Sequence, residues 1–332
     1  MFKIGIAGCG RIASSFDDDP KRKYISTHIG AYKCVGNTDV VAVCDVNKKS
    51  LEKCLKKWGI SRGYLSLKEM LRKEKIDILS ICTPPDTHYA ILKQAIEFPL
   101  KAIFCEKPLA DNLKDAEKMV RLCKQKKIIL QVDHQRRFDP LHVNLRNFIK
   151  YKKLGDIQQV NFYYTAGIKN TGSHMFDILR FFFGEIDWIE AMFSKNKSNN
   201  ERDPNLDGIL KFKGGLFGTF QACNAKKYLI FELSCFLNEG KFILKNSGFS
   251  VDFYGVRDSL CFSGYKELYK NKTPFNIHYR RNFMVNAVKH LLGCIQKNKD
   301  SISSGKDGLK ALGLIEASII SANNNGKKIY LD

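Results

Sequence analysis

The feature that most constrains the fold is a glycine-rich motif directly behind the first apolar run of the chain. Residues 3–7 predict a short buried strand, and Gly8-Cys9-Gly10-Arg11-Ile12-Ala13 follows it as G-x-G-x-x-A. Here Gly8 permits a tight turn, Gly10 lets the backbone approach a pyrophosphate, and Ala13 permits close helix–strand packing. The N–H groups at the helix start would bind the phosphates. The motif predicts a dinucleotide site; the alternative is a tight turn without a ligand.

The first half of the chain alternates apolar strands with amphipathic helices. Further strands are predicted at residues 39–44, 76–82, 102–105 and 128–132. Helices are predicted between and after them, at residues 50–58, 67–73, 87–97 and 113–125. Strands that alternate with helices pair in parallel and form a doubly wound sheet.

After about residue 140 the pattern becomes strand-rich, with hairpin-like joints such as Lys213-Gly214-Gly215. Strands are predicted at residues 157–165, 188–194, 208–212, 216–223, 228–236, 241–244 and 250–254. Helices are predicted at residues 141–151, 173–183, 281–296 and 308–323. A chain of 332 residues is long enough for two domains. We predict an α/β protein with a Rossmann domain over residues 1–135, and an α/β domain with a mostly antiparallel sheet over residues 136–332.

Asp45 ends the second strand and predicts the choice of cofactor. A carboxylate at this place accepts hydrogen bonds from the adenosine ribose hydroxyls and repels a 2′-phosphate, which favours NAD. NADP stays open as an alternative because Lys48 and Lys49 follow closely. The spacing from the glycines exceeds the usual ~20 residues. Residues 16–24, with Pro20 and three consecutive Asp, are predicted to be an insertion that breaks the first helix.

Two further segments follow predicted strands and should line the cofactor cleft. Thr83-Pro84-Pro85-Asp86-Thr87-His88 comes after the strand at residues 76–82, and Cys105-Glu106-Lys107-Pro108 comes after the next one. Ligands of open α/β sheets bind beyond the carboxyl ends of the strands. We therefore predict that Thr83, Pro84, His88, Glu106 and Lys107 bind the cofactor. Pro108 restricts Lys107 to extended geometry, which directs its ammonium at the cleft; the alternative is a solvated surface lysine.

Taken together, the motifs resemble those of the glucose–fructose oxidoreductase/inositol dehydrogenase (Gfo/Idh/MocA) family. They occur in the family's order over nearly the whole chain: Gly8–Ala13, Thr83-Pro84, Glu106-Lys107-Pro108, Gln135-Arg136-Arg137-Phe138, and Gly172-Ser173-His174-Met175-Phe176-Asp177 with Gly184 behind it. The combination of E-K-P with a downstream G-x-H-x-x-D is specific. The resemblance implies a Rossmann domain, a second domain with a large open sheet that forms dimers or tetramers, and NAD(P)-linked chemistry on a sugar, sugar nucleotide or cyclitol.

Lys107 and His174 are the catalytic candidates that the resemblance implies. Hydride loss from a secondary alcohol requires removal of its O–H proton, which an imidazole can accept at neutral pH. A cation beside that oxygen stabilises the developing alkoxide. The alternative for His174 is a buried structural histidine. Asp177, one helical turn later, either orients the imidazole or caps the helix.

Asn170 and Arg137 complete the predicted substrate contacts. Many relatives carry Asp four residues before the histidine, where this chain has Asn170. An amide hydrogen-bonds a sugar hydroxyl but carries no proton, so an Asp–His relay is absent or rebuilt. Arg136 and Arg137 lie at the predicted domain junction. One of them contacts substrate or cofactor, or they form an interdomain salt bridge.

Net charge and cysteine usage bear on partners and compartment. Lys+Arg number 55 against 34 Asp+Glu, a net charge of +21. The lysines are spread along the chain without an aromatic-interleaved motif, so we expect no nucleic-acid partner, although a basic field helps capture an anionic substrate. The 11 cysteines form no C-x-x-C pair, which predicts free thiols and neither a metal site nor disulfides. No apolar run has the ~18 residues of a membrane span, and a signal-peptide stretch is lacking, so a cytoplasmic location is expected.

The sequence therefore predicts an NAD(P)-dependent dehydrogenase or reductase that acts on a CH–OH group of a carbohydrate or nucleotide-sugar substrate, as a homodimer or homotetramer. Two alternatives share the cofactor site. Some relatives cleave glycosides through transient oxidation, and a regulator would bind the cofactor without turnover. A third alternative, in which the basic charge serves nucleic acid, predicts salt-sensitive binding of DNA or RNA.

Overall fold

The computed structural model describes residues 1–275 and 282–331, and the chain divides into two units. The first consists of Met1–Asp139 and Arg280–Leu312, and the second of Pro140–Tyr279 and Gly313–Asp332. The prediction placed a single boundary at residue 135, whereas a C-terminal segment also belongs to the first unit. That segment is held there because Gln131 donates a hydrogen bond to the Ala287 carbonyl at 3.1 Å, and Val132 N–H donates to the Ser303 carbonyl at 2.8 Å.

The first unit contains a six-stranded parallel sheet. Its strands are β1 (Phe2–Ala7), β2 (Thr38–Cys44), β3 (Gly63–Tyr64), β4 (Ile78–Ile81), β5 (Ala102–Cys105) and β6 (Ile129–Val132). Their order across the sheet is β3-β2-β1-β4-β5-β6, and every neighbouring pair is parallel. Strands β4 and β5 are buried along their whole length, as strands covered on both faces must be. This confirms the predicted Rossmann-type sheet.

The helices follow the amphipathic segments of the sequence. Those described are α1 (His28–Lys33), α2 (Lys48–Trp58), α3 (Leu67–Lys73), α4 (Pro85–Ala95), α5 (Leu113–Gln125), α6 (Pro140–Lys150), α7 (Gly172–Phe183), α8 (Phe283–Lys297) and α9 (Gly305–Asn323). Side-chain oxygens of Thr27, Asn47, Ser66 and Asn112 cap α1, α2, α3 and α5, respectively, by accepting a backbone N–H of the first turn. The predicted start of α8 at Arg281 lies outside the described residues.

The predicted insertion at residues 16–24 is present. A π-helical turn (Arg11–Ser15) and a 3₁₀ turn (Phe16–Asp18) follow β1, and the α-helix begins only at His28. The carboxylate of Asp17 holds the end of the insertion, because it accepts hydrogen bonds from Ser26 N–H at 2.7 Å and from the Thr27 hydroxyl at 2.5 Å. The insertion delays α1 and β2, which explains the long spacing between the glycines and Asp45.

The second unit contains a nine-stranded, mostly antiparallel sheet. Its strands are β7 (Ile157–Tyr164), β8 (Ile186–Phe193), β9 (Leu206–Phe212), β10 (Phe217–Ala222), β11 (Phe231–Leu237), β12 (Gly240–Lys245), β13 (Ser250–Asp258), β14 (Lys266–Asn271) and β15 (Ile329–Tyr330). The order is β14-β13-β12-β11-β7-β10-β9-β8-β15, and only β7 and β10 pair in parallel. The fully buried Phe162, Phe176 and Phe220 pack between the sheet and α7.

Three strands have no counterpart among the sequence predictions: β3, β14 and β15. All three lie at sheet edges, and β3 and β15 are two residues long. In β14 most side chains are exposed, so the strand lacks the apolar alternation that marks a half-buried one. Among the described helices, none combines the length and the apolar character that crossing a membrane requires.

Candidate active site

The glycine turn after β1 has the geometry that the motif predicts. Gly8 has φ +92°, and a Cβ there would lie 2.8 Å from the Cys82 carbonyl oxygen, so conformation and space both require glycine. Gly10 differs, because its φ is −75° and a Cβ would meet no atom within 4 Å. Ala13 is fully buried against the sheet. The space over the Gly10 backbone is therefore open, as the motif predicts for the approach of a pyrophosphate.

Of the three variable residues of the motif, Cys9 is buried, whereas Arg11 and Ile12 reach the surface of this turn. Arg11 is exposed, and its guanidinium lies over the Phe16 ring, 4.6 Å from the centroid. Ile12 is half-buried. The turn closes through a 3.0 Å hydrogen bond from Ser14 N–H to the Gly10 carbonyl. The exposed residues of the motif are thus Gly10, which offers only backbone, and Arg11.

Asp45 is fixed next to the glycine turn. One carboxylate oxygen accepts the Cys9 N–H at 2.7 Å, and the other accepts the Asn47 N–H at 2.7 Å. Each oxygen keeps a second lone pair, so the half-exposed carboxylate can still accept hydrogen bonds from ribose hydroxyls. The side chain thus both supports the turn and presents a fixed negative charge at the carboxyl end of β2.

The turn after β4 is locked from inside by His88. The His88 ring is fully buried; its Nε2 lies 2.8 Å from the Thr83 carbonyl oxygen, and its Nδ1 lies 3.1 Å from that of Leu109. Burial lowers the pKa of His88, and the neighbouring backbone carbonyls raise it. Thr83 is half-buried, and Pro84 is exposed at the N-terminus of α4. His88 therefore supports Thr83 and Pro84, which corrects the prediction that its own ring is presented to the cofactor.

Glu106 and Lys107 follow β5, with their side chains in different surroundings. The Glu106 carboxylate is buried and lies 2.9 Å from His28 Nε2. Lys107 is half-buried, its backbone N–H donates to Glu106 Oε2 at 3.3 Å, and its peptide bond to Pro108 is cis. Burial raises the pKa of Glu106, and the Lys107 charge lowers it. The Glu106 side chain therefore lies in the interior of the first unit, whereas the adjacent Lys107 is partly exposed to solvent.

In the second unit, Asn170 lies in a π-helical turn (Gly167–Thr171) after β7. The buried Asp203 carboxylate accepts the Lys169 N–H at 2.6 Å and the Asn170 N–H at 3.0 Å. Gly167 has φ +91°, and a Cβ there would overlap the Asp203 carboxylate. The Asn170 residue is exposed. Asp203 thus determines the course of the loop that precedes His174.

His174 and Asp177 are both on α7, as predicted. His174 is half-buried in the first turn, and Asp177 is 1% exposed, one turn further on. The helix begins at Gly172 after Thr171, so Asp177 is not its N-cap. This removes the capping alternative for Asp177. Orientation of the imidazole by Asp177 stays a prediction.

Arg137 is part of a salt bridge inside the first unit. Its Nη1 lies 3.0 Å from an Asp307 carboxylate oxygen and donates to the Ile302 carbonyl at 2.7 Å. The residue is 5% exposed. Arg137 therefore forms a salt bridge, as the second of the two alternatives predicted. The bridge is not interdomain, however, because Arg137 and Asp307 belong to the same unit. The bridge ties the residues after β6 to the start of α9.

Family models match both units of the chain. The model described as an oxidoreductase family with an NAD-binding Rossmann fold matches residues 2–134, and the GFO/IDH/MocA C-terminal domain matches residues 166–236. The chain belongs to the Gfo/Idh/MocA oxidoreductase family. Membership makes it an NAD-binding oxidoreductase, in agreement with the resemblance carried by the motifs.

Individual relatives within the Gfo/Idh/MocA family are distant but match the chain over most of its length. D-apiose dehydrogenase of Paraburkholderia graminis is 22% identical, covering 99% of this chain and 90% of its own. Myo-inositol 2-dehydrogenase of Thermotoga maritima is 23% identical, covering 93% of each chain. The structure of the WlbA dehydrogenase from Bordetella pertussis with NADH and UDP-GlcNAcA superposes with a TM-score of 0.80 at 20% identity, covering 100% and 99%.

The residues of the first unit are suited to binding the NAD that Gfo/Idh/MocA proteins use. The open space over Gly10 is the cradle that a pyrophosphate would fill, and Gly8 and Ala13 have the packing roles that the motif requires. Asp45 would supply the acidic acceptor for the ribose. The carboxyl ends of β2, β1, β4 and β5 are neighbours in the sheet, so their site residues lie along one edge.

Three supporting residues were missed by the reasoning from sequence. Asp133 follows β6 directly, and the rule that identified Thr83 and Glu106 could have found it. His28 lies in a helix whose sequence gave no signal of a contact with Glu106. Asp203 lies in a polar segment whose pairing with the Asn170 loop spans 33 residues of sequence. The last two contacts depend on the tertiary fold.

Proposed function

We propose that this protein is an NAD-dependent dehydrogenase that oxidises a secondary hydroxyl of a sugar, cyclitol or sugar nucleotide, or catalyses the reverse reduction. The names of its relatives, which include apiose and inositol dehydrogenases, support this substrate class. The observation that carries the proposal is the arrangement at the edge of the first sheet. Gly8–Ala13, Thr83 and Lys107 follow β1, β4 and β5, which are consecutive in the sheet.

The proposed chemistry divides between two side chains. When bound, NAD supplies the hydride acceptor. His174 accepts the proton of the substrate hydroxyl, and the Lys107 ammonium stabilises the negative charge that develops on that oxygen. Asp177 positions His174, and Asn170 hydrogen-bonds a neighbouring hydroxyl. An amide at position 170 cannot relay a proton, so we assign no second acid–base group to this loop.

NAD is the proposed cofactor in preference to NADP because of Asp45. Its carboxylate is fixed by the Cys9 and Asn47 N–H groups, so it cannot turn away from a 2′-phosphate without losing hydrogen bonds. Lys48 and Lys49, the residues on which NADP binding would depend, are exposed at the start of α2. We therefore expect NADP to bind more weakly than NAD.

Purified protein, NAD and a panel of pentoses, cyclitols and UDP-sugars test the proposal, with NADH formation read by absorbance. We expect turnover with at least one member of the panel. With that substrate, Lys107→Met and His174→Asn should each lower kcat by about 100-fold or more, the typical effect of losing an acid–base or electrostatic group. The affinity for NAD should change little. Lys114→Met, at an exposed position on α5, is the matched control and should leave kcat unchanged.

Three outcomes would contradict the proposal. Near-normal turnover in both variants would remove Lys107 and His174 from the chemistry. Release of free sugar from glycosides without net NADH would identify a glycoside hydrolase. NAD binding without turnover, together with a specific protein partner, would identify a regulator.

A second copy of the chain is the proposed partner of the large sheet. Met192 on β8, Ile209 on β9 and Phe217 on β10 are 62%, 44% and 49% exposed. The strand pairing places them on one face of the sheet, because Met192 pairs with Asp207 and Phe217 pairs with Lys211, each two residues from Ile209. Exposed apolar side chains that share a face favour an interface. Light scattering should give a dimer or tetramer for the wild type, and Ile209→Lys should lower that mass; a monomeric wild type would contradict this assignment.

A further inference from the structure

A buried cluster of three ionisable side chains lies at the carboxyl edge of the first sheet. Glu106 follows β5, Asp133 follows the neighbouring β6, and His28 begins α1. The ligand-type atoms of the three residues all lie within 4.8 Å of one another, and each residue is at least nine-tenths buried. No step of the proposed chemistry uses this cluster.

The hydrogen bonds of the cluster define which atoms carry protons. His28 Nδ1 lies 3.2 Å from the Ser80 hydroxyl, which lies 3.0 Å from the Tyr32 hydroxyl. The Glu106 carboxylate oxygen that faces Nε2 only accepts, so Nδ1 of a neutral ring accepts from the Ser80 hydroxyl. Nε2 of the neutral imidazole therefore carries the proton and donates to Glu106 Oε1 at 2.9 Å. Burial lowers the pKa of His28 to about 4, consistent with a neutral ring.

Glu106 is thereby defined as an acceptor of several hydrogen bonds. It accepts from His28 Nε2 and from the Lys107 N–H, and one of its oxygens lies within 4.8 Å of a carboxyl oxygen of Asp133. Two ionised carboxylates this close in a buried site repel each other and offer only acceptors, so one proton shared between them is the favoured arrangement. Because Glu106 already accepts two donors, the proton belongs on Asp133.

The surroundings of Asp133 agree with a neutral acid. Its Oδ1 is buried and has no hydrogen-bond partner among the residues that the structure describes. A carboxylate oxygen in that state would be costly, whereas the carbonyl oxygen of a neutral acid costs far less. Burial and the neighbouring Glu106 charge raise the pKa of Asp133 well above its ordinary value. The Phe104 ring, 4.5 Å from that of His28, covers the cluster on one side.

We propose that Asp133 is a neutral carboxylic acid in the folded protein and donates its proton to Glu106, so that a single negative charge lies behind Lys107 and positions its ammonium. Glu106, Asp133 and His28 are positioning residues, because they act through Lys107. If Glu106 and Asp133 were both ionised, Lys107 would face two negative charges. If both were protonated, it would face none. One shared proton leaves one charge, which balances that of the ammonium.

The titratable groups that interact with Glu106 or Asp133 include residues of α1, residues at the ends of β4 and β5, and the residue after Glu106. They are His28 and Tyr32 of α1, Cys82 after β4, Cys105 of β5, and Lys107. Burial raises the pKa of the two thiols and of the phenol, so these three stay neutral. Lys107 is therefore the cation among these groups that can balance the Glu106 charge.

Infrared difference spectroscopy detects the proton directly and does not depend on activity. The wild-type spectrum at neutral pH, minus that of Asp133→Asn, should contain one carbonyl-stretch band of a protonated carboxylic acid. In the wild type alone, a pH titration should keep that band well above the pH at which exposed Asp ionises, about 3.9. Absence of the band in both measurements would overturn the proposal. So would a stoichiometric divalent metal found by elemental analysis of the purified protein, because a metal would replace the shared proton.

Stability as a function of pH provides a second readout. Asp133 is protonated when folded and ionised when unfolded above about pH 3.9, so folding takes up a proton and the wild type loses stability as pH rises. Asp133→Asn has a neutral amide in both states and takes up no proton. The Tm of Asp133→Asn relative to wild type should therefore rise between pH 5 and pH 8. A difference that stays constant or falls would place the proton elsewhere.

The effect of the Glu106 charge on Lys107 rests on the proposed function, and its test is independent of the test that locates the shared proton. Glu106→Gln removes the charge, so the alkaline limb of the pH–rate profile should move to lower pH by about one unit or more. Asp133→Asn keeps the Glu106 charge and a donor to it, so its shift should be smaller. The reverse ranking would place the proton on Glu106 and overturn the assignment. A failed activity assay with a positive infrared band would contradict the proposed function and leave the shared proton standing.

Discussion

Each unit of the molecule carries a π-helical turn directly after the first strand of its sheet, and the two turns are held in different ways. Arg11–Ser15 follows β1, and Gly167–Thr171 follows β7. A carboxylate accepts backbone N–H groups at each: Asp45 accepts that of Cys9, just before the first turn, and Asp203 accepts those of Lys169 and Asn170, within the second. Gly8, before the first turn, and Gly167, at the start of the second, each have a φ near +90°.

The two carboxylates differ in their exposure, and therefore in whether they can accept further hydrogen bonds from a ligand. Asp45 is half-exposed at a strand end and can still bind a ligand, whereas Asp203 is buried and accepts backbone N–H groups of the loop. In the proposed function, the residues of the first turn contact the cofactor. The second is a support that presents Asn170 and His174, and its key residue is remote from them in sequence. Substitutions in the two turns should therefore separate cofactor affinity from turnover.

The largest expected effect is on cofactor affinity, at Gly10. Gly10→Val adds a side chain where the structure leaves open space, so the fold should persist while NAD affinity falls by about 100-fold, equivalent to about 2.7 kcal/mol. Calorimetric titration with NAD measures the affinity, and thermal unfolding measures the fold.

Two glycine variants serve as controls for this result. Gly36→Val also fills open space, away from the motif, and should leave NAD affinity unchanged. Gly8→Val should lower the Tm, because of its positive φ and the nearby Cys82 carbonyl. Undiminished affinity in Gly10→Val would show that the turn is structural only.

The next largest effect is expected at the support of the second turn. Asp203→Ala leaves the part-buried Lys169 and Asn170 N–H groups without their charged acceptor, at a cost of about 1–3 kcal/mol. Urea unfolding should show this loss, and kcat should fall while NAD affinity is kept. Asp258→Ala, which removes an exposed partner of Lys266 in the same unit, should change neither. If Asp203→Ala also lost NAD affinity, the two turns would not separate cofactor binding from turnover.

A smaller effect is expected on cofactor choice. Asp45→Ala removes a repulsive charge and should narrow the preference for NAD over NADP by about tenfold, or about 1.4 kcal/mol. It also removes the acceptor of the Cys9 N–H, which Asp45→Asn retains in part. Both variants should narrow the preference, and Asp45→Asn should bind NAD better than Asp45→Ala does. If the wild type bound NADP more tightly from the start, Lys48 or Lys49 would have to reach the phosphate.

The smallest effect is expected at Asn170. Asn170→Asp brings a second carboxylate to a loop whose backbone is already held by Asp203, so we expect no gain in kcat and no shift of the pH optimum. Steady-state rates over a range of pH check this. A gain in kcat or a shifted optimum would show that position 170 can serve as a relay acid, and the role of Asn170 would need revision.

Much of the first unit was predictable because its structure depends on local patterns. Buried parallel strands appear as apolar runs, and the residues that follow β1, β2, β4 and β5 were identified as site residues for that reason. The strands of the second sheet were largely predictable from alternation. The edge strands β3, β14 and β15 were not, because an edge buries too little side-chain surface to leave a pattern.

The sequence by itself determined the parallel and antiparallel sheets, the glycine turn, Asp45, and the position of Lys107 behind β5. Only the tertiary structure revealed that His88 supports the Thr83 turn, that Arg137 pairs with Asp307, and that the segment ending at Leu312 returns to the first unit. It alone placed His28 and Asp133 around Glu106. The physical reason is common to all of these contacts: side chains far apart in sequence meet only when strands and helices pack, and no local spacing specifies which donor meets which acceptor.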